Sequence, residues 1–94
     1  MKIYIAGPMT GYENYNRDAF NDAAKTLTHG EKQIALNPAI LPSGLNQGQY
    51  MDICFAMIRA ADAIYLLDGY EESKGAMAEL AYAEKLELVI MEQS

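Results

Sequence analysis

Residues 63–67 form an uninterrupted apolar run, AIYLL, between Asp62 and Asp68. A continuous apolar run of this length is typical of a strand that is buried on both faces, as in the centre of a parallel sheet. Neighbouring parallel strands must be joined by crossover connections, which are usually helices. The run therefore predicts an α/β fold in which strands alternate with helices.

The rest of the chain alternates in the same way. The predicted strands cover residues 2–6, 33–36, 63–67 and 88–91. The first predicted helix is capped by Asn16 or Asp18 and stops at His29-Gly30. The second covers residues 50–60. The third covers residues 74–85 and is capped by Ser73. A long loop is expected at 37–49. With right-handed crossovers this order predicts one domain over residues 1–94, a Rossmann/flavodoxin-like three-layer sandwich with strand order 2-1-3-4.

In this topology strands one and three are neighbours and their helices lie on opposite faces, so a ligand crevice opens at their C-terminal ends. The loop after strand one consists of Gly7, Pro8, Met9, Thr10 and Gly11. Its glycines fit an ordinary turn, and they also fit a loop whose backbone N–H groups approach an anion. Both interpretations remain open.

The third predicted helix begins at the same edge of the sheet, with Ser73, Lys74 and Gly75. Ser73 is a good N-cap. The serine hydroxyl, Lys74 and the free N–H groups of Gly75 and Ala76 also form a phosphate-sized site. The two roles are compatible.

Glu79 is the most informative residue of this helix. It is the only charged residue in the nine-residue segment 75–83, GAMAELAYA. Most helical glutamates are solvated, but a helix that is apolar on nearly every side should be largely buried. Buried carboxylates with perturbed pKa values occur at functional sites, which makes Glu79 a candidate catalytic residue.

Two aspartates are further candidates. Asp68 follows the central strand, where site residues are common, although Asp-Gly also starts turns. Asp52 opens the second helix, where a negative charge complements the helix dipole.

The composition excludes several classes of partner. The net charge is −6, with 7 Lys+Arg against 13 Asp+Glu and no basic cluster, which argues against binding to a nucleic-acid polymer. The apolar stretches are too short for a membrane span, and the absence of a signal-peptide pattern leads us to expect a cytoplasmic protein. One histidine, His29, and one cysteine, Cys54, do not predict a metal site or a disulfide, and no cofactor is expected.

Three segments in register resemble the nucleoside 2-deoxyribosyltransferase superfamily: residues 3–8 (IYIAGP), 61–67 (ADAIYLL) and 73–83 (SKGAMAELAYA). The resemblance covers nearly the whole chain. It is closest to short, poorly characterised phage and prophage proteins with the same AGPMTG opening, and to the branch that hydrolyses 2-deoxynucleoside 5-monophosphates.

The resemblance implies chemistry at the N-glycosidic bond of a deoxynucleoside or deoxynucleotide. Glu79 matches the glutamate that attacks C1′ of the sugar and forms a glycosyl-enzyme intermediate. Tyr4 matches the tyrosine that orients this glutamate. Ser73 matches a serine of the monophosphate-hydrolysing branch, which favours a 5′-monophosphate as the substrate.

Two positions depart from the pattern. Cys54 has the spacing of the proton-donating aspartate, and Asp52, two residues earlier, is the alternative acid. Thr10 replaces an arginine of the hydrolase branch. The sequence thus predicts an N-glycosidase or deoxyribosyltransferase, or else a non-catalytic nucleotide-binding protein that sequesters or senses a nucleotide.

A homodimer or larger homo-oligomer is also expected. The core of so short a chain is small, and subunit contacts would bury further apolar surface. The resemblance implies that a neighbouring subunit completes the site, here through residues near Met91–Ser94 or the loop containing Tyr50.

Overall fold

A four-stranded, all-parallel sheet in the order 2-1-3-4 is the centre of the molecule, as predicted. The structure, a computed structural model, describes residues 1–28, 30 and 32–94; His29, part of the predicted helix stop, lies outside them. The elements are β1 (Lys2–Ala6), α1 (Arg17–Leu27), β2 (Ile34–Leu36), α2 (Gln47–Arg59), β3 (Ala63–Leu66), α3 (Lys74–Lys85) and β4 (Val89–Glu92).

The two faces of the sheet are covered by different helices. On one face Tyr4 and Ala6 of β1 pack with Cys54 and Ile58 of α2 and with Ala83 of α3. On the other face Ile5 of β1 packs with Phe20 and Ala23 of α1. Because successive side chains of a strand point to opposite faces, β1 contributes to both cores and is buried from its second residue onward.

The predicted start of α2 was three residues too late. The helix begins at Gln47 because Asn46 and Gln49 form a capping box: the Asn46 Oδ1 atom accepts from the Gln49 N–H at 2.8 Å, and the Gln49 Oε1 atom accepts from the Asn46 N–H at 3.0 Å. The predicted long loop is further shortened by a 3₁₀ turn at Pro38–Ile40. The prediction from glycine and proline content alone therefore overestimated the length of this loop.

The α1 helix begins at Arg17, and Asn16 stands at its N-cap position as one of the two predicted caps. Its side chain does not cap the helix, however. The Asn16 Nδ2 atom instead donates to the Pro8 carbonyl oxygen at 2.9 Å. Asn16 therefore fastens the start of α1 to the loop that follows β1.

Gly7, which follows β1, is required by close packing of the backbone. A Cβ atom at Gly7 would lie 2.8 Å from the Cβ atom of Leu67. We expect Gly7→Ala to lower the free energy of unfolding by about 1–3 kcal/mol, because one of the two neighbouring chain segments must move. Urea unfolding followed by circular dichroism measures this loss.

Gly48→Ala is the matched control. A Cβ atom at Gly48 would make only ordinary contact, 3.5 Å from the Asn46 side-chain oxygen. Because alanine has a higher helix propensity than glycine, the free energy of unfolding of this variant should stay equal or rise by roughly 0.5–1 kcal/mol. Equal losses in the two variants would contradict the packing role of Gly7.

Candidate active site

A cavity of about 760 Å³ opens beyond the C-terminal end of β1. It is bounded by the loop after β1, the first residues of α1, α2 and α3, and the segment between β2 and α2. A volume of this size is typical of a small-molecule site. The position agrees with the crevice predicted from the topology.

Glu79 and Tyr4 line this cavity together. The Tyr4 hydroxyl donates to the Glu79 Oε2 atom at 2.8 Å, although the residues are 75 positions apart in the chain. Glu79 is only 6% exposed and Tyr4 is fully buried. A buried carboxylate needs hydrogen-bond donors to compensate for lost hydration, and Tyr4 supplies one.

Burial raises the pKa of Glu79 to about 7. Hydrogen bonds from Tyr4 and Cys54 lower this pKa, but their effect is smaller than that of burial. Burial also raises the pKa of Tyr4 well above its ordinary value, and the negative charge of Glu79 acts in the same direction. Tyr4 therefore remains a neutral donor at neutral pH. The carboxyl of Glu79, in contrast, exchanges its proton near pH 7.

Cys54 lies behind this pair, fully buried in the core shared by Tyr4. Burial raises the pKa of its thiol to about 12, so the thiol stays protonated at neutral pH. Among the described residues no group of three or more histidine, cysteine, aspartate or glutamate side chains could hold a metal ion.

The start of α3 forms one wall of the cavity, with Ser73, Lys74 and Gly75. The Ser73 Oγ atom accepts from the Ala76 N–H at 3.1 Å, so Ser73 is the N-cap of α3, as predicted. The Ala76 N–H is thereby engaged within the protein. An anion at this wall would have to use the Ser73 hydroxyl, Lys74 and the amides before Ala76.

In the loop after β1, Gly7, Pro8, Met9 and Thr10 all line the cavity, whereas Gly11 is not among the lining residues. Gly11 has a φ of +87°, a left-handed turn conformation that favours glycine. Of the predicted glycine pair, only Gly7 is thus at the cavity.

The structure places both candidate aspartates outside the cavity. Asp52 is exposed on α2, because two helical residues turn it by about 200° from the buried Cys54. Asp68 is exposed beside a separate, smaller cavity of about 150 Å³, and its N–H donates to the Gln93 Oε1 atom at 3.0 Å. The turn after β3 carries it toward β4, so neither residue lies with Glu79.

Arg17 and Tyr15 line the cavity without having been predicted from the sequence, and Tyr50, predicted to lie in a loop that completes a neighbouring site, belongs to α2 and lines this cavity. The Tyr50 hydroxyl lies 3.1 Å from the Pro38 carbonyl oxygen and 3.0 Å from the Met9 sulfur, so it joins α2 to two cavity-lining segments. Tyrosines clustered around the predicted crevice were a usable signal for these residues. Their convergence depends on the tertiary structure.

Within the described ranges no helix has the length and apolar character needed to cross a bilayer.

The fold is shared with a protein of known structure. The structure of the protein named 2-desoxiribosyltransferase from Leishmania mexicana superposes with a TM-score of 0.77 and 26% sequence identity. The match covers 97% of this chain and 62% of that one, so this chain spans less than two thirds of its length. This neighbour supports the resemblance to the deoxyribosyltransferase superfamily.

No curated protein matches the chain. The family model described as "Domain of unknown function (DUF4406)" matches residues 1–92. Since this match extends over nearly the whole sequence, the chain belongs to the DUF4406 family.

Proposed function

We propose that this protein cleaves the N-glycosidic bond of a 2′-deoxynucleotide, by hydrolysis or by transfer to a second base. The observation that carries the proposal is the buried Glu79 carboxylate, held by the Tyr4 hydroxyl at 2.8 Å and facing a cavity of about 760 Å³. The fold neighbour, a deoxyribosyltransferase by name, supports the same chemistry.

In the proposed reaction the ionised Glu79 carboxylate attacks C1′ of the sugar. The bond from C1′ to the base nitrogen breaks, its electron pair leaves with the base, and a glycosyl ester forms on Glu79. Water, or a ring nitrogen of a second base, then attacks C1′ and releases the carboxylate, and the proton that this nucleophile loses neutralises the base anion that departed. Tyr4 positions Glu79 by donating a hydrogen bond to one oxygen, which leaves the other oxygen for the sugar.

A 5′-monophosphate is the proposed substrate form. The start of α3 presents a hydroxyl, a lysine and helix N-terminal amides to the cavity, and such a wall suits a phosphate. The loop after β1 lies at the same cavity and adds Gly7 to Thr10 as further substrate-binding residues. We place the protein in the monophosphate branch of the superfamily on these grounds, and near its phage and prophage members because it shares with them the AGPMTG segment of residues 6–11.

Incubation of the purified protein with the four 2′-deoxynucleoside 5′-monophosphates and the four nucleosides tests the proposal. Free base is separated by liquid chromatography, with and without an added acceptor base, which distinguishes hydrolysis from transfer. Release of base from at least one compound is expected. No base from any of the eight, with or without acceptor, would contradict the proposed activity.

A second candidate function is nucleotide binding without turnover, in a sequestering or sensing protein. The observation in its favour is the exposure of Asp52, the acid that the sequence offered for protonating the departing base. Tight binding of a nucleotide, measured by calorimetry with no base released, would support this function.

We expect the protein to form a homodimer or a larger homo-oligomer. Ile53 on α2 and Met77 on α3 are 38% and 42% exposed, and helices two and three pack side by side on one face of the sheet. Pairing of these faces would bury apolar surface. Light scattering at micromolar concentration should give a mass of at least twice 10.4 kDa, the mass of one chain.

Ile53→Glu is the variant that tests this interface, with Ile40→Glu, an exposed apolar residue of another segment, as the control. Dissociation by the first variant alone is expected. A wild-type mass of 10.4 kDa at these concentrations would contradict the assembly.

A further inference from the structure

Three successive residues at the rim of the cavity have left-handed backbone conformations. Asn14, Tyr15 and Asn16 have φ values of 50°, 53° and 61°. This conformation costs roughly 1–2 kcal/mol for most side chains other than glycine but is tolerated by asparagine, so the strain falls mainly on Tyr15 and persists only where surrounding contacts impose it. Strained segments of this kind are common at functional sites.

Hydrogen bonds hold the strained segment in place. The Asn16 side chain donates to the Pro8 carbonyl oxygen at 2.9 Å, and the Tyr15 N–H donates to the Tyr12 carbonyl oxygen at 3.0 Å. The segment reverses the chain immediately before α1. As a result Arg17, the first residue of that helix, lines the cavity together with Tyr15.

The guanidinium of Arg17 is held at the cavity by neutral groups. Its Nη1 atom donates to the Asn14 Oδ1 atom at 3.3 Å, and its Cζ atom lies 5.2 Å from the centre of the Tyr15 ring. Both contacts fix the orientation of the side chain, but neither neutralises its charge. Arg17 is also half-buried, so part of its hydration is already lost.

The charge of Arg17 extends into the cavity. Burial raises the pKa of the Tyr50 hydroxyl to about 12, with contributions from Cys54 and Glu79, and the positive charge of Arg17 acts in the opposite direction. Arg17 is therefore close enough to act on a group that lines the cavity from α2. The chain has a net charge of −6, so the oriented positive charge of Arg17 at the cavity contrasts with the charge of the protein as a whole.

We infer that Arg17 binds the phosphate of the ligand and thereby determines the preference of the site for a nucleotide over a nucleoside. The inference rests on the proposed function for the identity of the ligand. A guanidinium that is already oriented by Asn14 and Tyr15 loses little further freedom when it binds a phosphate oxygen. Together with Lys74 on the α3 wall it gives the cavity two cationic side chains.

A thermodynamic cycle tests this role. Glu79→Gln serves as the background, so that no ligand is consumed, and calorimetry gives the dissociation constants of a 2′-deoxynucleoside 5′-monophosphate and of its nucleoside. In this background the monophosphate should bind more tightly, and Arg17→Met should reduce the ratio of the two constants by roughly tenfold or more. Arg17→Lys, which keeps the charge, should retain part of the preference.

Arg59→Met is the matched control, since Arg59 is exposed at the end of α2 and contacts only the Tyr82 hydroxyl, at 3.3 Å, among the described hydrogen bonds. It should leave the ratio unchanged. Inorganic phosphate supplies a second readout, because its addition should shift the Arg17 Nε–H resonance in the NMR spectrum of the folded protein.

The outcomes separate this inference from the proposed function. An unchanged ratio in Arg17→Met, with base release by the wild type, would overturn the role of Arg17 and leave the glycosidase proposal standing. A lost preference without base release would support Arg17 and favour nucleotide binding alone. If neither nucleotide binding nor a phosphate-induced shift is observed, the inference is wrong.

Discussion

Replacement of Glu79 by glutamine should abolish base release, by at least about a thousandfold in kcat, the scale of loss seen when a catalytic nucleophile is removed. The amide is nearly isosteric and still accepts a hydrogen bond from the Tyr4 hydroxyl, so the fold should be retained. It cannot form the glycosyl ester, however. Base release is measured by chromatography, and retention of the ligand by calorimetry on the same preparation.

Glu84→Gln is the matched control for this variant. Glu84 lies on the same helix, five residues later, but is exposed and does not line the cavity. It should release base at the wild-type rate. Undiminished turnover by Glu79→Gln would exclude the covalent mechanism, and a loss of binding together with turnover would make Glu79 a ligand-binding residue only.

The stability of Glu79→Gln relative to the wild type should depend on pH. Burial raises the pKa of Glu79 from 4.5 to about 7 in the folded protein, so between these values the folded state binds more protons than the unfolded state. The stabilising contribution of this carboxyl is complete below pH 4.5 and is lost as the pH rises through 7. The free energy of unfolding of Glu79→Gln, relative to that of the wild type, should therefore rise by about 3 kcal/mol over this range.

Urea unfolding at a series of pH values from 5 to 8.5 measures this difference without any assay of activity. Glu84→Gln, at an exposed position of the same helix, is the control substitution in these measurements. Tyr4→Phe should extend the pH dependence of this contribution to higher pH, since the Tyr4 hydrogen bond lowers the pKa of Glu79. A constant difference between Glu79→Gln and wild type would mean that this carboxyl is not buried in solution.

The order of strands and helices could be predicted from the sequence because local sequence patterns determine it. The apolar run 63–67, the alternation of strand and helix segments, and the Ser73 cap each depend on neighbouring residues only. The predicted strand order 2-1-3-4, common in doubly wound α/β folds, is confirmed. Boundaries were less accurate where a side-chain pair decided them, as with Asn46 and Gln49 at the start of α2.

The burial of Glu79 could also be predicted, because an apolar helix that carries one charge has few exposed positions. The sequence alone therefore predicted the fold and the buried carboxylate that lines the cavity. The resemblance added Tyr4 as its partner, and the structure brings the two side chains to 2.8 Å.

Only the tertiary structure decided which other side chains reach the cavity. Asp52 and Asp68 have the right residue type for the chemistry, but the rotation of α2 and the turn after β3 direct them to solvent. Arg17 lies ten residues beyond Gly7 in an unremarkable polar segment, and three left-handed residues bring it to the rim. Helix rotation and loop direction result from packing between distant segments, and no local pattern encodes them.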